Sequence, residues 1–231
     1  MTPLEKFIYQ FITLGGYNKV LNGLLVTAEL AVAGLLIGIF IGTLIGLVKV
    51  MPKESVITKI LDKICVIYVG FFRGTPIVVQ LLIGYWILMP ALGLNISAVL
   101  TAIIIFGLNS GAYVSEIMRG GINSVDKGQL EAARALGLGF WKGMFYVVIP
   151  QSFKNILPTL GNEFIMLIKD TSVVSFIAVV DLTRALKDIA SATYEYVIPY
   201  IMLALIYLIL VILITILVRQ IEKRFKKNER A

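Results

Sequence analysis

Two stretches of this 231-residue chain concentrate side chains able to bind a charged molecule. Asn109, Tyr113 and Glu116 recur at i, i+4 and i+7, which lines them along one face of a helix whose other faces are apolar. Glu163 and Asp170 lie seven apart on one face of another segment, with Asn162 and Lys169 seven apart on the adjoining face. A carboxylate in an apolar run can hold an ammonium or guanidinium, while amide and phenol groups beside it fix the orientation of what is held. Glu163 or Glu116 is expected in the first role, and Asn109, Tyr113 and Asn162 in the second. Glu163 has no cation within a turn of it, although a helix-to-helix hydrogen bond would also account for it. Glu116 stands three residues before Arg119, and those two can simply satisfy each other. Other chemistries have no residues to run on. With no histidine and one cysteine, metal sites of the usual nitrogen and sulfur kind and histidine-dependent triads are excluded. Cys65 reads as a packing residue. No lysine follows a glycine, so the chain lacks a G-x-x-x-x-G-K phosphate loop, and any ATP must be bound by another subunit.

The elements that position these residues are membrane helices. The chain is 58% apolar and 15% charged, with a mean hydropathy of +0.91. A spanning helix needs about 20 apolar residues, and five stretches qualify or nearly so: Val20 to Val48, Ile64 to Met89, Leu94 to Met118, Leu160 to Val180 and Val197 to Val218. The fourth carries Asn162, Glu163, Lys169, Asp170, Thr171 and Ser172, and must face a bundle interior or a water-filled cavity. Fifteen of the 21 Lys and Arg residues fall after span one, after span three or in the tail from Arg219 to Arg230. That bias predicts the N-terminus outside and the C-terminus inside. It also accounts for the net charge of +7 without nucleic acid, the basic tail at 219–231 meeting anionic headgroups. Residues 1–19 show no cleavage site and are expected as an amphipathic helix at the outer interface.

Two interruptions stand out. Gly34, Gly38, Gly42 and Gly46 form one small-residue stripe along span one, suited to close packing within the chain or against a second subunit. Phe71-Phe72-Arg73-Gly74-Thr75-Pro76 predicts a break or kink near Pro76, with Arg73 snorkelling towards the cytoplasmic headgroups or, as the alternative, pairing with a carboxylate inside the bundle.

The polar loop between spans three and four holds Glu131-Ala132-Ala133, then Gly137, then Val147-Val148-Ile149-Pro150. This run resembles the EAA-x-x-x-G...I-x-L-P loop of the membrane subunits of bacterial ABC importers, departing by Val147 for Ile and Ile149 for Leu. Residues 71–76, 110–122, 161–164 and 169–172 are similar to the polar amino acid subgroup of those permeases, so the likeness covers nearly the whole chain. It implies an all-α, type I permease-like bundle of about five transmembrane helices in one domain, with a cytoplasmic coupling loop at about 120–159. It further implies a prokaryotic cytoplasmic membrane, a second permease chain, an extracytoplasmic amino-acid-binding protein and a cytoplasmic ATPase dimer that binds ATP and Mg and performs the hydrolysis. The chain itself would be non-catalytic and hold no cofactor. Glu131, Ala132, Ala133, Arg134, Leu136 and Gly137 would form the ATPase-coupling helix, with Gly137 and Gly139 ending it. A lone buried carboxylate leans towards a basic amino acid, arginine, lysine or histidine, with glutamine the other candidate. The competing class is a secondary carrier or channel without an ATPase, which often shows a repeat of spans; none is evident here.

Overall fold

The computed structural model describes residues 2–227, with side chains to residue 224. All regular structure among them is helical: α1 (Pro3–Phe7) continued by wide turns Ile8–Thr13, α2 (Gly16–Val50), α3 (Val56–Gly74), α4 (Ile77–Ile83), wide turns Gly84–Leu88 into α5 (Met89–Ala91), and α6 (Ala98–Asn123). After these come α7 (Lys127–Ala135), α8 (Phe140–Gly143), wide turns Met144–Val148, α9 (Ile149–Asp170), a 3₁₀ segment Thr171–Ile177, α10 (Leu182–Thr193) and α11 (Val197–Lys227).

Among the described residues three helices are long and apolar enough to cross a membrane, α2, α6 and Val197–Arg224 of α11, and α3 with Ile77–Ala91 qualifies as a pair bent by 104°. The bend falls at the predicted break. Proline lacks an N–H and drives the residue before it into extended backbone; Thr75 sits at φ −122, ψ 144. The fourth stretch is not a continuous span from Leu160 to Val180. α9 stops at Asp170, and the 3₁₀ segment closes on Ala178 in the left-handed region, φ 63. Hydroxyls compete for backbone groups at that point, as when Thr171 Oγ1 donates to the Ile168 carbonyl at 2.7 Å.

α2 and α6 form the central pair, and the glycine stripe is the reason they can approach. A Cβ at Gly34 would stand 3.0 Å from Phe106 Cβ, one at Gly38 2.5 Å from Ser110 Oγ, one at Gly42 2.6 Å from Val114 Cβ and one at Gly46 2.7 Å from Met118 Cβ. The four partners are themselves four apart, so a row without side chains lies against a row with them. The stripe therefore packs within the chain. In lipid such contacts draw on close van der Waals fit rather than release of water. α3 joins through Tyr68, whose hydroxyl donates to the Leu108 carbonyl at 2.5 Å.

At the end of the bundle opposite α7, the N-terminal segment straps onto the α10–α11 corner. Lys6 Nζ meets Glu195 Oε2 at 2.5 Å, Gln10 Nε2 donates to Thr193 Oγ1 at 2.7 Å, and Phe11 packs on Leu182, Leu186 and Ile189. The Lys6 ammonium holds the Glu195 carboxyl below the usual carboxylate range. The N-terminal helical turns span only residues 3–13, because Gly15 at φ 68 turns the chain and Lys19 belongs to α2. Of the basic tail, Arg219, Lys223 and Arg224 continue α11, whereas Arg230 and the side chains of Lys226 and Lys227 lie outside the described residues.

Candidate functional site

α3, the start of α4, α6 and α9 line an open cavity with two adjoining lobes of about 470 Å³ and 370 Å³, which share Arg73, Tyr113, Glu163 and Met166 as lining residues. The larger lobe adds Glu116 and Asn162, and the smaller adds Asn109 and Asp170. All five residues expected to contact a solute thus line one cavity or the other.

Their chemical states differ. Glu163 is 6% exposed and accepts a hydrogen bond from Ser110 Oγ at 2.9 Å. Ser110 is itself the residue pressed by Gly38, so the stripe on α2 sets the position of the donor to Glu163. Glu116 is largely spent: Lys49 Nζ pairs with its Oε1, and Arg119 Nη2 meets its Oε2 at 2.6 Å. The local pairing with Arg119 is realised and extended by a cation from α2. Asn109, which has no partner legible in its own helix, donates to the Phe72 carbonyl at 3.2 Å and to Gln80 Oε1 at 2.9 Å.

Arg73 has a specific place in the structure. It sits in the last turn of α3, some 25 Å of helix from the start of that element, and its guanidinium carbon lies 5.3 Å from the Tyr113 ring centroid. A cation within a membrane segment is costly unless it finds a partner, and Arg73 has the Tyr113 π-face and the cavity beside it. Arg73 and Glu163 line the same space without forming an ion pair with each other. A cation on one wall and a carboxylate on the other complement a molecule carrying both charges.

The proposed coupling segment forms a short helix. Asp126 Oδ1 caps α7 by accepting from Gly128 N at 2.7 Å. At its far end Gly137 N donates to the Arg134 carbonyl at 2.9 Å and Leu138 N to the Ala133 carbonyl at 3.1 Å, the pair of bonds that a left-handed residue after a helix makes possible. Gly137 supplies that conformation, φ 85. Gly139 does not end the helix but precedes α8 as its N-cap, φ −65. Glu131, Ala132, Arg134 and Leu136 are exposed, Leu136 at 85%, while Ala133 is 4% exposed and faces the protein's own Gly143. Within the expected segment 120–159, α6 runs to Asn123 and α9 begins at Ile149.

Sequence reasoning missed Gln80. It is the one polar residue in the apolar run Ile77–Ile83 and follows the proline break by four residues, a signal that marks the residue but not Asn109 as its partner.

Apolar helices, a bend inside a membrane segment and a cavity between them that carries charged side chains define a membrane transport subunit of the permease kind. The family described as binding-protein-dependent transport system inner membrane component matches residues 34–227, and the chain belongs to it. The chain is 40% identical over 210 residues to the arginine transport system permease protein ArtQ of Bacillus subtilis, covering 91% of this chain and 94% of that one. It is 35% identical over 207 residues to the glutamine transport system permease protein GlnP of Escherichia coli K12, covering 89% and 92%. A solved structure described as an amino acid ABC transporter with histidines superposes with a TM-score of 0.81 at 40% identity, covering 93% of this chain and 98% of that chain. An inward-facing MetNI methionine ABC transporter shares the fold, with a TM-score of 0.76 at 18% identity, covering 89% and 95%.

Proposed function

We propose that this chain is the membrane subunit of an ATP-driven importer of a basic amino acid, lying in a prokaryotic cytoplasmic membrane with its N-terminus outside and its C-terminus inside. The observation that carries this reading is the cavity that has Arg73 and Glu163 on its lining but no ion pair between them. Arg73 takes the solute carboxylate and Glu163 its ammonium or guanidinium, with Tyr113, Asn162 and the Asn109 amide oxygen fixing its orientation. Glu116 sets the edge of the larger lobe and acts mainly through Lys49 and Arg119. The arginine name of one relative fits a basic substrate, and the glutamine name of another keeps a neutral polar amino acid as the other candidate.

ATP and Mg are handled by a partner ATPase dimer, a second permease chain completes the pathway, and an extracytoplasmic binding protein delivers the solute. The exposed face of α7, from Glu131 to Leu136, docks in a groove of the ATPase. Closure of the ATPases on ATP pushes α7 and turns the cavity from inward-facing to outward-facing by a rigid-body shift.

ATP hydrolysis in proteoliposomes holding this chain, its neighbouring ATPase and the binding protein tests the reading, with arginine and glutamine as probes. Hydrolysis should require this chain and rise with arginine. An ATPase that never associates would move the reading to a secondary carrier, and stimulation by glutamine alone would replace the basic substrate.

A further inference from the structure

The bend between α3 and α4 leaves specific carbonyls without helical partners. In a continuous helix the Phe72 carbonyl would receive the N–H of residue 76, but residue 76 is proline and has none. The Thr75 carbonyl would receive the N–H of Val79, yet that group donates to the Pro76 carbonyl at 3.0 Å. Both orphans are taken by side chains. Gln80 Nε2 reaches the Phe72 carbonyl at 2.9 Å, the Thr75 carbonyl at 3.0 Å and Thr75 Oγ1 at 2.8 Å. Asn109 Nδ2, from α6, reaches the Phe72 carbonyl at 3.2 Å and Gln80 Oε1 at 2.9 Å. Gln80 is 5% exposed and Asn109 8%. The network also fixes which way each amide points, because a flipped Asn109 would set its oxygen against the oxygens of Phe72 and Gln80. Only the Asn109 amide oxygen is then left to offer to the smaller lobe.

Arg73 lies between the residues so held, one position after Phe72 and two before Thr75. We propose that Gln80 and Asn109 are positioning residues for transport, an amide clasp that replaces the hydrogen bonds Pro76 removes, fixes the bend and thereby holds the Arg73 guanidinium over Tyr113 in the cavity. The proposal rests on the reading of that cavity as the solute path. A clasp that merely stabilised the fold would act on every step equally, whereas a clasp that aims Arg73 has nothing left to do once the guanidinium is gone.

The test is a double-mutant cycle on uptake by the complete complex in proteoliposomes, with radiolabelled arginine and glutamine in parallel and whichever the native complex accumulates as the probe. Arg73→Gln and Gln80→Met should each lower uptake at sub-saturating probe about tenfold, and the double variant should be no worse than Arg73→Gln alone, the signature of coupled sites. Gln80→Glu keeps the length and, as the neutral acid, one donor in place of two, so its uptake should fall between native and Gln80→Met. A double variant reduced about a hundredfold, as independent sites require, or a Gln80→Glu complex with native uptake, overturns the clasp while leaving the cavity reading intact. An Arg73→Gln complex with native uptake sinks the cavity reading as well. Should Gln80→Met fail to assemble, Thr75→Val removes one clasp oxygen while keeping the backbone, and the same non-additivity with Arg73→Gln is expected.

Discussion

Glu163 and Glu116 are chemically identical side chains on one cavity, and their surroundings separate them. Glu116 has two cations of its own protein within contact and little to offer a solute, whereas Glu163 receives one neutral hydroxyl on Oε1 and keeps its other oxygen for a solute. Glu163→Gln retains an acceptor for Ser110 Oγ, so the helix packing should survive while the charge is lost. A hydrogen bond to a charged group is worth about 1.5–3 kcal/mol, roughly a ten- to hundredfold change. The half-saturating arginine concentration for uptake should rise by about that factor, while glutamine, with no cationic side chain, should change by less than about threefold. Equal losses for both probes would take Glu163 out of side-chain recognition. The residue types at this site were legible in sequence because the i, i+4, i+7 spacing holds within any straight helix. Their partners were not legible, since Lys49, Ser110 and Gln80 come from elements far away in the chain, and local spacing carries no information about which helix packs on which.

Between elements, the decisive contact is the seam of α2 and α6, where the position of Ser110 depends on the absence of a side chain at residue 38. Gly38→Ala would place a Cβ 2.5 Å from Ser110 Oγ and 3.1 Å from the Ser110 backbone carbon, contacts that the rigid backbone of α6 does not yield to easily. Such overpacking costs about 1–3 kcal/mol. Gly70→Ala on α3 meets nothing within 4 Å and should be neutral or stabilising by up to about 1 kcal/mol, since alanine is the better helix former. Thermal unfolding midpoints of the two variants in detergent should therefore move in opposite directions or differ clearly in size. A Gly38→Ala protein as stable as native would mean that the seam is looser than this packing. The sequence carried this seam as a four-residue glycine period and carried the α3–α4 bend as a proline. It did not carry the end of α9, because Leu167-Ile168 and Val173-Val174 read as one apolar run on either side of residues that stop the helix.

For the whole molecule the question is how a push at α7 can reach a cavity lined by α3, α6 and α9. α7 is followed by α8 and tied to both sides of that cavity: Ile122 at the end of α6 packs in one cluster with Met144 and Val148 ahead of α9, Asn155 Nδ2 of α9 donates to Ser124 Oγ at 2.7 Å, and Gln151 Nε2 donates to Gln129 Oε1 of α7 at 3.2 Å. A displacement of α7 is thus passed to α6, which carries Tyr113, and to α9, which carries Glu163, through packed and hydrogen-bonded contacts rather than through a slack loop. Two substitutions separate the shape of α7 from its surface. Gly137→Val forces a β-branched residue into the left-handed region at a cost of about 1–2 kcal/mol and should loosen the two bonds that close α7. Leu136→Ala removes an 85% exposed side chain, so the isolated chain should keep its unfolding midpoint. If Leu136 is the apolar anchor in the ATPase groove, its truncation should cost more than about 1 kcal/mol of binding, at least fivefold in the dissociation constant. Titrating the ATPase onto the reconstituted chain reads that constant directly. Both variants should lose arginine-stimulated hydrolysis, Gly137→Val by weakening transmission and Leu136→Ala by weakening contact. Native ATPase affinity in Leu136→Ala would move the docking surface to another part of α7.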